Sequence, residues 1–151
     1  MSVPTENIGI ARRLIEGDRA ALATLDSEAW PFVSLVLVAT DTDGLPLLLL
    51  SDLAEHTKNI AGDSRASLLF DGTLGTADPL AGPRLTLMGR IEAAPQTDAL
   101  ACYVARHPGA AAWARLRDFR LYRLVPTRGH LVAGFGRIAW IDAAALFSAA
   151  N

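Results

Sequence analysis

The stretch 31–50, "PFVSLVLVATDTDGLPLLLL", constrains the fold more than any other part of the chain. From Pro31 to Thr40 it is β-type and apolar at odd and even positions alike, apart from Ser34. Asp41-Thr42-Asp43-Gly44 then supplies turn chemistry, and 45–50 is apolar throughout. Side chains alternate faces along a strand, so a run apolar at every position needs cover on both sides. The Asp/Gly break between the runs is a hairpin signal. Two neighbouring strands of this kind favour a closed antiparallel barrel over an open sheet.

The remaining chain fits that architecture. Thr5 is placed to cap a first helix carrying Ile8, Ala11, Leu14 and Ile15 at helical spacing, stopped by Gly17-Asp18. Residues 20–25 read as a strand turned by Asp26-Ser27-Glu28. The segment 56–62 reads as a short helix and 66–70 as a further strand. Residues 72–82 are a Gly/Pro-rich loop. "RLTLMGRIE", 84–92, alternates polar and apolar as a half-buried strand does. The Ala-rich stretch 95–117 reads as two helices broken at His107-Pro108-Gly109. Residues 119–125 and 130–140 read as two closing strands, with Asp142 capping a terminal helix. The tally is six or seven strands with flanking helices, without the βαβα alternation of doubly wound folds. The expectation is a mainly β (α+β) single domain over 1–151.

Composition removes several functional classes. Hydrophobic residues make up 51% and charged residues 20% of the 151, as in a chain that buries a core. The apolar run 45–50 is too short to span a bilayer, and the N-terminal residues lack signal-peptide features. One cysteine, Cys102, excludes an internal disulfide and fits a reducing cytoplasm. A formal net charge of −2 gives no reason to expect nucleic acid. His56, His107 and His130 have no metal-ligand spacing, and neither a G-x-S-x-G elbow nor a P-loop is present. Gly134-Phe135-Gly136 sits inside a strand pattern, which suggests a bulge or a close approach of a backbone or flat ligand.

Two places concentrate polar groups. Ser34 is isolated in "VSLVLV" and reads either as a satisfied sheet hydroxyl or as a ligand contact. "SDLAEHTKNIAGDSRASLLF", 51–70, crowds hydrogen-bonding side chains into one connection. Either Ser51 or Asp52 caps a solvated helix there, or the helix N-terminus with Thr57 and Lys58 receives an anion.

These stretches, with "RLTLMGRIE" and "FRLYRLVPTRGHLVAGFGRIAW", follow one another in an order that resembles the pyridoxamine 5′-phosphate oxidase-like FMN-binding split barrels. The turn Ser-x-Leu-Ala-x-His-Thr-x-Asn is similar to that of the branch containing haem-utilisation proteins and a plant glutamyl-tRNA reductase-binding protein. The resemblance implies a six-stranded antiparallel split barrel, working as a homodimer with FMN in two interface clefts. It assigns Ser34, Ser51, Thr57, Lys58 and Asn59 to the flavin phosphate and ribityl chain, Arg84 to the ring edge and Arg137 to a substrate phosphate. The segment 130–140 would come from the partner subunit. The chain also departs from the oxidases. Ala54-Glu55-His56 stands where they carry Ser-Arg-Lys, no basic residue occupies 33–38, and Val132 replaces a tryptophan.

Three functions are therefore expected. The first is an FMN-dependent oxidoreductase that does not oxidise vitamin B6. The second is a haem-binding or haem-degrading module. Relatives in that branch use a histidine beyond the Gly-Phe-Gly strand as axial ligand; here His130 and His56 are the substitutes. The third is a cofactor-free barrel acting as a dimeric binding protein.

Overall fold

The two apolar runs become neighbours in one curled antiparallel sheet. The computed structural model describes residues 2–147. In chain order the elements are α1 (Thr5–Ile15), β1 (Arg19–Leu25), β2 (Pro31–Leu37), β3 (Ala39–Thr40) and β4 (Pro46–Ser51). They continue with α2 (Glu55–Gly62), β5 (Arg65–Asp71), β6 (Arg84–Ala93) and α3 (Gln96–Arg106). A 3-10 turn (Pro108–Ala112), β7 (Phe119–Gly134), β8 (Arg137–Asp142) and α4 (Ala143–Phe147) complete the order, with a further 3-10 turn (Pro79–Ala81) between β5 and β6. The sheet runs β2-β1-β5-β6-β7-β4-β3, and β8 joins β7 off this path. β4 pairs with Phe119–Arg123 at the start of β7, and β8 pairs with the same strand from Arg128 onward. β2 and β4 approach one another without sharing a ladder, which leaves the barrel split.

The described residues form eight strands, not six. The run 31–40 divides at Val38, where the chain leaves β1, after a last bond from the Val38 N–H to the Asp18 carbonyl at 2.9 Å, and pairs with β4 from Ala39 onward. The other correction lies at the C-terminal end, where β7 runs unbroken through Pro126. Proline cannot donate to a ladder and read as a strand end. Here a register shift opposite Met88/Gly89 accommodates it, and the Thr127 hydroxyl donates to the Met88 carbonyl at 3.1 Å. The expected bulge near Gly134 is present, but the strand stops there. Phe135-Gly136 is a two-residue hairpin turn with Gly136 at φ +75°.

Capping also differs from expectation. Pro4 is the N-cap of α1, so Thr5 lies inside the helix, and Ala54 caps α2 without a side-chain bond. The 41–44 hairpin behaves as its residues require: Asp41 Oδ1 accepts the N–H groups of Asp43 and Leu45, both at 2.9 Å.

The apolar pattern of β4 has a clear physical cause. Leu48 and Leu50 enter the barrel core with Leu22, Leu68, Leu87 and Leu124. Leu47 and Leu49 face the other way, into a second cluster with Ala99 and Tyr103 of α3. The second face of β4 is thus covered by the chain's own helix rather than by a partner. β2 has no such cover: Val33, Leu35 and Leu37 are 63%, 74% and 40% exposed. No helix among the described residues is long and apolar enough to cross a membrane.

Candidate functional site

Register across the sheet lines up one outward row from edge to edge. Leu35 opposes Ala21, Ala21 opposes Leu69, Leu69 opposes Thr86, Thr86 opposes His130 and His130 opposes Trp140. Directly paired residues share a face, so these six side chains stand on one side of the sheet. One row over, Arg84, Val132 and Ile138 align in the same manner. Leu69 and Trp140 are 41% and 52% exposed, so this outer face is apolar and open.

Two hollows open along the face. At the β2 edge, a cleft of 230 Å³ in the barrel's split is lined by Leu35, Leu37, Ser51, His56, Trp113 and Phe119. Toward the middle, a basin of 430 Å³ is lined by Leu69, Leu80, Arg84, Thr86, His130 and Val132.

The α2 turn positions the polar groups of the cleft. Ser34 on β2 lies beside the first turn of α2, with its Oγ 3.1 Å from His56 Nδ1. Burial holds the His56 imidazole below the ordinary value of 6.5, so it is neutral at pH 7. Ser51 donates to Asp118 Oδ2 at 3.0 Å and accepts from the Leu53 N–H at 3.2 Å. The Tyr103 hydroxyl is pushed up to about 12 by burial and stays a phenol. Trp113 packs edge-on against Phe119 with ring centroids 5.1 Å apart, forming an aromatic wall.

The residues expected to hold a flavin phosphate do not all meet here. Ser51 lines the cleft with His56, and Ser34 lies behind it, in contact with His56 Nδ1. Lys58 turns to solvent and pairs with Glu55 at 3.3 Å. Asn59 does not line the cleft; it donates to Thr24 Oγ1 at 3.1 Å, on the same inward face of β1 as Leu22. Thr57 is buried, and its Oγ1 has no hydrogen-bond partner among the described residues. Arg84 stands at the basin, donating to the carbonyls of Leu80 and Gly82 at 2.9 and 3.3 Å. Arg137 is drawn to Glu6 at 3.3 Å and Asn7 at 3.4 Å, beside α1. Sequence reasoning missed Trp113 and Phe119, which line the cleft from a segment some 60 residues downstream, and Asp118, which accepts from Ser51 at its edge. No local spacing could have signalled them.

A family model for the CREG beta-barrel matches residues 3–148. The chain belongs to the CREG beta-barrel family. Within that family's split-barrel fold, it is 36% identical over 112 residues to the chloroplastic heme oxygenase HOZ of Arabidopsis thaliana. That match covers 71% of this chain and 33% of the Arabidopsis protein. It is 29% identical over 123 residues to heme oxygenase HutZ of Vibrio cholerae, covering 77% of this chain and 69% of that one. A solved heme binding protein from Mycobacterium smegmatis superposes with a TM-score of 0.89 at 30% identity. The superposition covers 98% of this chain and 62% of the mycobacterial one. The chain thus spans about a third of the Arabidopsis relative's length and about two thirds of the other two. The likeness to the haem-related branch, drawn above from the turn and the strand order, is shown by these relatives.

Proposed function

We infer that the protein binds haem in clefts formed between two copies of the chain, as a haem-binding or haem-degrading member of its family. The observation that carries this reading is the open apolar face that ends at a cleft holding a neutral, hydrogen-bonded imidazole. A flat macrocycle needs apolar walls, an iron ligand and cations for its carboxylates. Leu35, Leu37 and Trp113 supply walls, His56 and His130 are imidazoles on the two hollows, and Arg84 and Arg128 are cations of the same face as the basin. Arg128 lies 4.4 Å over the Trp140 ring. The names of the Arabidopsis, Vibrio and Mycobacterium relatives support the same ligand. Haem, when bound, supplies the iron at which oxygen chemistry takes place. The chain's residues orient it and keep water from its faces.

The homodimer follows from exposure. The outward β2 residues with Leu69, Ile138 and Trp140 form an apolar surface larger than isolated surface residues account for. Two-fold pairing of this face would bring the cleft of one protomer toward the basin of its partner and cover both.

A second reading, FMN, has one observation in its favour: the unpartnered Thr57 Oγ1 near the N-terminus of α2. Against it, Glu55 neutralises Lys58, and no basic side chain lines the cleft. A phosphate without charge-assisted partners binds weakly.

Parallel titration with hemin and with FMN separates the readings. The expected result is a saturable Soret change with one hemin per chain, and no quenching of flavin fluorescence. Saturable flavin quenching, with hemin absorbing as it does in buffer, would replace haem by FMN. No response to either would leave the cofactor-free binding protein.

A further inference from the structure

We propose that the end of the outward face away from Arg84 carries a binding site for a small apolar carboxylate, held by Arg90 and Arg65. The site is independent of the haem reading and shares no lining residue with the cleft or the basin. A sheet ordinarily avoids the pairing found there. Arg65 of β5 stands directly opposite Arg90 of β6, on the face that also carries Leu69 and Thr86. Like charges in opposed positions repel and destabilise the ladder unless something offsets them.

Asp63 offsets one of the two. Its carboxylate takes the Nε and Nη2 edge of Arg65, with an Nη2 contact of 2.6 Å. Arg90 donates from Nη1 to the Ser64 hydroxyl at 3.2 Å and bonds no carboxylate among the described residues. Glu92, next on the same face of β6, is taken by Arg123 at 2.6 Å. The two guanidiniums and Asp63 therefore leave one positive charge uncancelled.

That charge sits at a hollow. A cavity of 340 Å³ is lined by Arg65, Arg90, Ser67, Leu25, Pro31 and Met88. Apolar walls with a few polar groups at one side are the usual make-up of a small-ligand site. Ser67 brings a hydroxyl that no described residue bonds. The backbone opens the hollow. Met88 pairs with Arg128 and Gly89 with Pro126, so Thr127, which also lines the cavity, is the extra residue of a bulge. Bulges bend the strand and re-aim its side chains, and they recur beside functional sites.

The same groups select the ligand. A guanidinium fork matches the two oxygens of a carboxylate. A single uncancelled charge suits a monoanion better than a phosphate dianion. Leu25, Pro31 and Met88 give nothing to a bare inorganic ion, whereas they cover an aliphatic or aromatic body. Benzoate has both parts.

The test is titration of isotope-labelled protein with benzoate, read through amide chemical shifts, beside acetate, inorganic phosphate and benzylamine at matched ionic strength. Benzoate should bind saturably and move the amides of Arg65, Ser67, Arg90 and Thr127. Acetate and phosphate should bind about tenfold more weakly or worse, and benzylamine should leave these signals in place. Arg90→Gln should weaken benzoate about tenfold or more, with Arg90→Lys, which keeps the charge without the fork, falling between. Arg90 is exposed, so both variants should otherwise keep the wild-type spectrum and sedimentation. Benzoate shifts centred on Thr86 and His130 would place the anion in the basin and overturn the proposal. Equal affinity for acetate or phosphate would mark an adventitious ion only, and equal affinity for benzylamine an apolar contact alone; either sinks it. Unchanged affinity in Arg90→Gln overturns the role of the arginine pair. A wild-type dimer that sediments as one chain in Arg90→Gln would give the arginines to a carboxylate of the second copy, and the ligand site would fall.

Discussion

At the scale of single residues, side chains that look alike in sequence carry different loads. Lys58 reads as a phosphate ligand, yet it pairs with Glu55 three residues earlier, with the two side chains 58% and 65% exposed. Exposed pairs of this kind contribute a few tenths of a kcal/mol. Lys58→Ala is expected to shift the urea midpoint barely and hemin affinity by less than about twofold. A tenfold loss of FMN affinity with riboflavin unaffected would instead restore the phosphate site. His56 gives stability a pH dependence. Its folded-state value lies below 6.5, so below that pH the unfolded chain takes up the proton more readily. The contribution is complete above 6.5 and is lost as pH falls below it. Unfolding free energies from about pH 7.5 to about 5.5 should therefore fall further for wild type than for His56→Gln. Parallel curves would show that the ring titrates normally. Gly89 is fixed by space: a Cβ there would lie 2.8 Å from Pro126 Cα, against backbone that cannot yield cheaply. Gly89→Ala is expected to cost about 1–3 kcal/mol at an unchanged m-value.

At the scale of elements, β4 is the strand on which both cores hang. Leu48 is fully buried toward the barrel, while Leu49, 8% exposed, faces α3. Neighbouring leucines on opposite faces should fail differently. Leu48→Ala leaves a cavity in the main core and should cost about 2–5 kcal/mol of global stability. Leu49→Ala loosens the contact that holds α3 and should raise amide exchange in α3 more than in β1 or β5. Uniform changes in exchange for both variants would mean that the two clusters unfold as one unit. The element scale also explains much of what reading the chain captured. Alternation in 84–92 and the Asp41–Gly44 turn are local, and the strands formed where those signals placed them. The split at Val38 and the passage of β7 through Pro126 were not legible. Each depends on a partner distant in sequence: the change from β1 to β4 as pairing strand at Val38, and the Met88–Gly89 irregularity for Pro126.

At the scale of the whole molecule, the exposed outer face asks for a second copy. Sedimentation is expected to give twice the chain mass at micromolar concentration. Leu35→Glu should give the mass of one chain without loss of folded structure, because that side chain is 74% exposed within one protomer. A wild-type protein sedimenting as one chain would end the shared-cleft arrangement. By itself the sequence determined that this chain forms a mainly β barrel with flanking helices. Those properties follow from patterns a few residues long: alternation, turn chemistry and apolar runs. Only the tertiary structure decided which of the doubly apolar strands was already covered. It also decided which candidate ligands met, because both depend on contacts between segments far apart in the chain. α3 covers β4 from about 50 residues away, and Trp113 and Phe119 line the cleft, with Asp118 at its edge, from about 60 residues beyond Ser51. Strand pairing and burial, which act across that distance, brought Ser34 to His56 and turned Asn59 and Arg137 elsewhere.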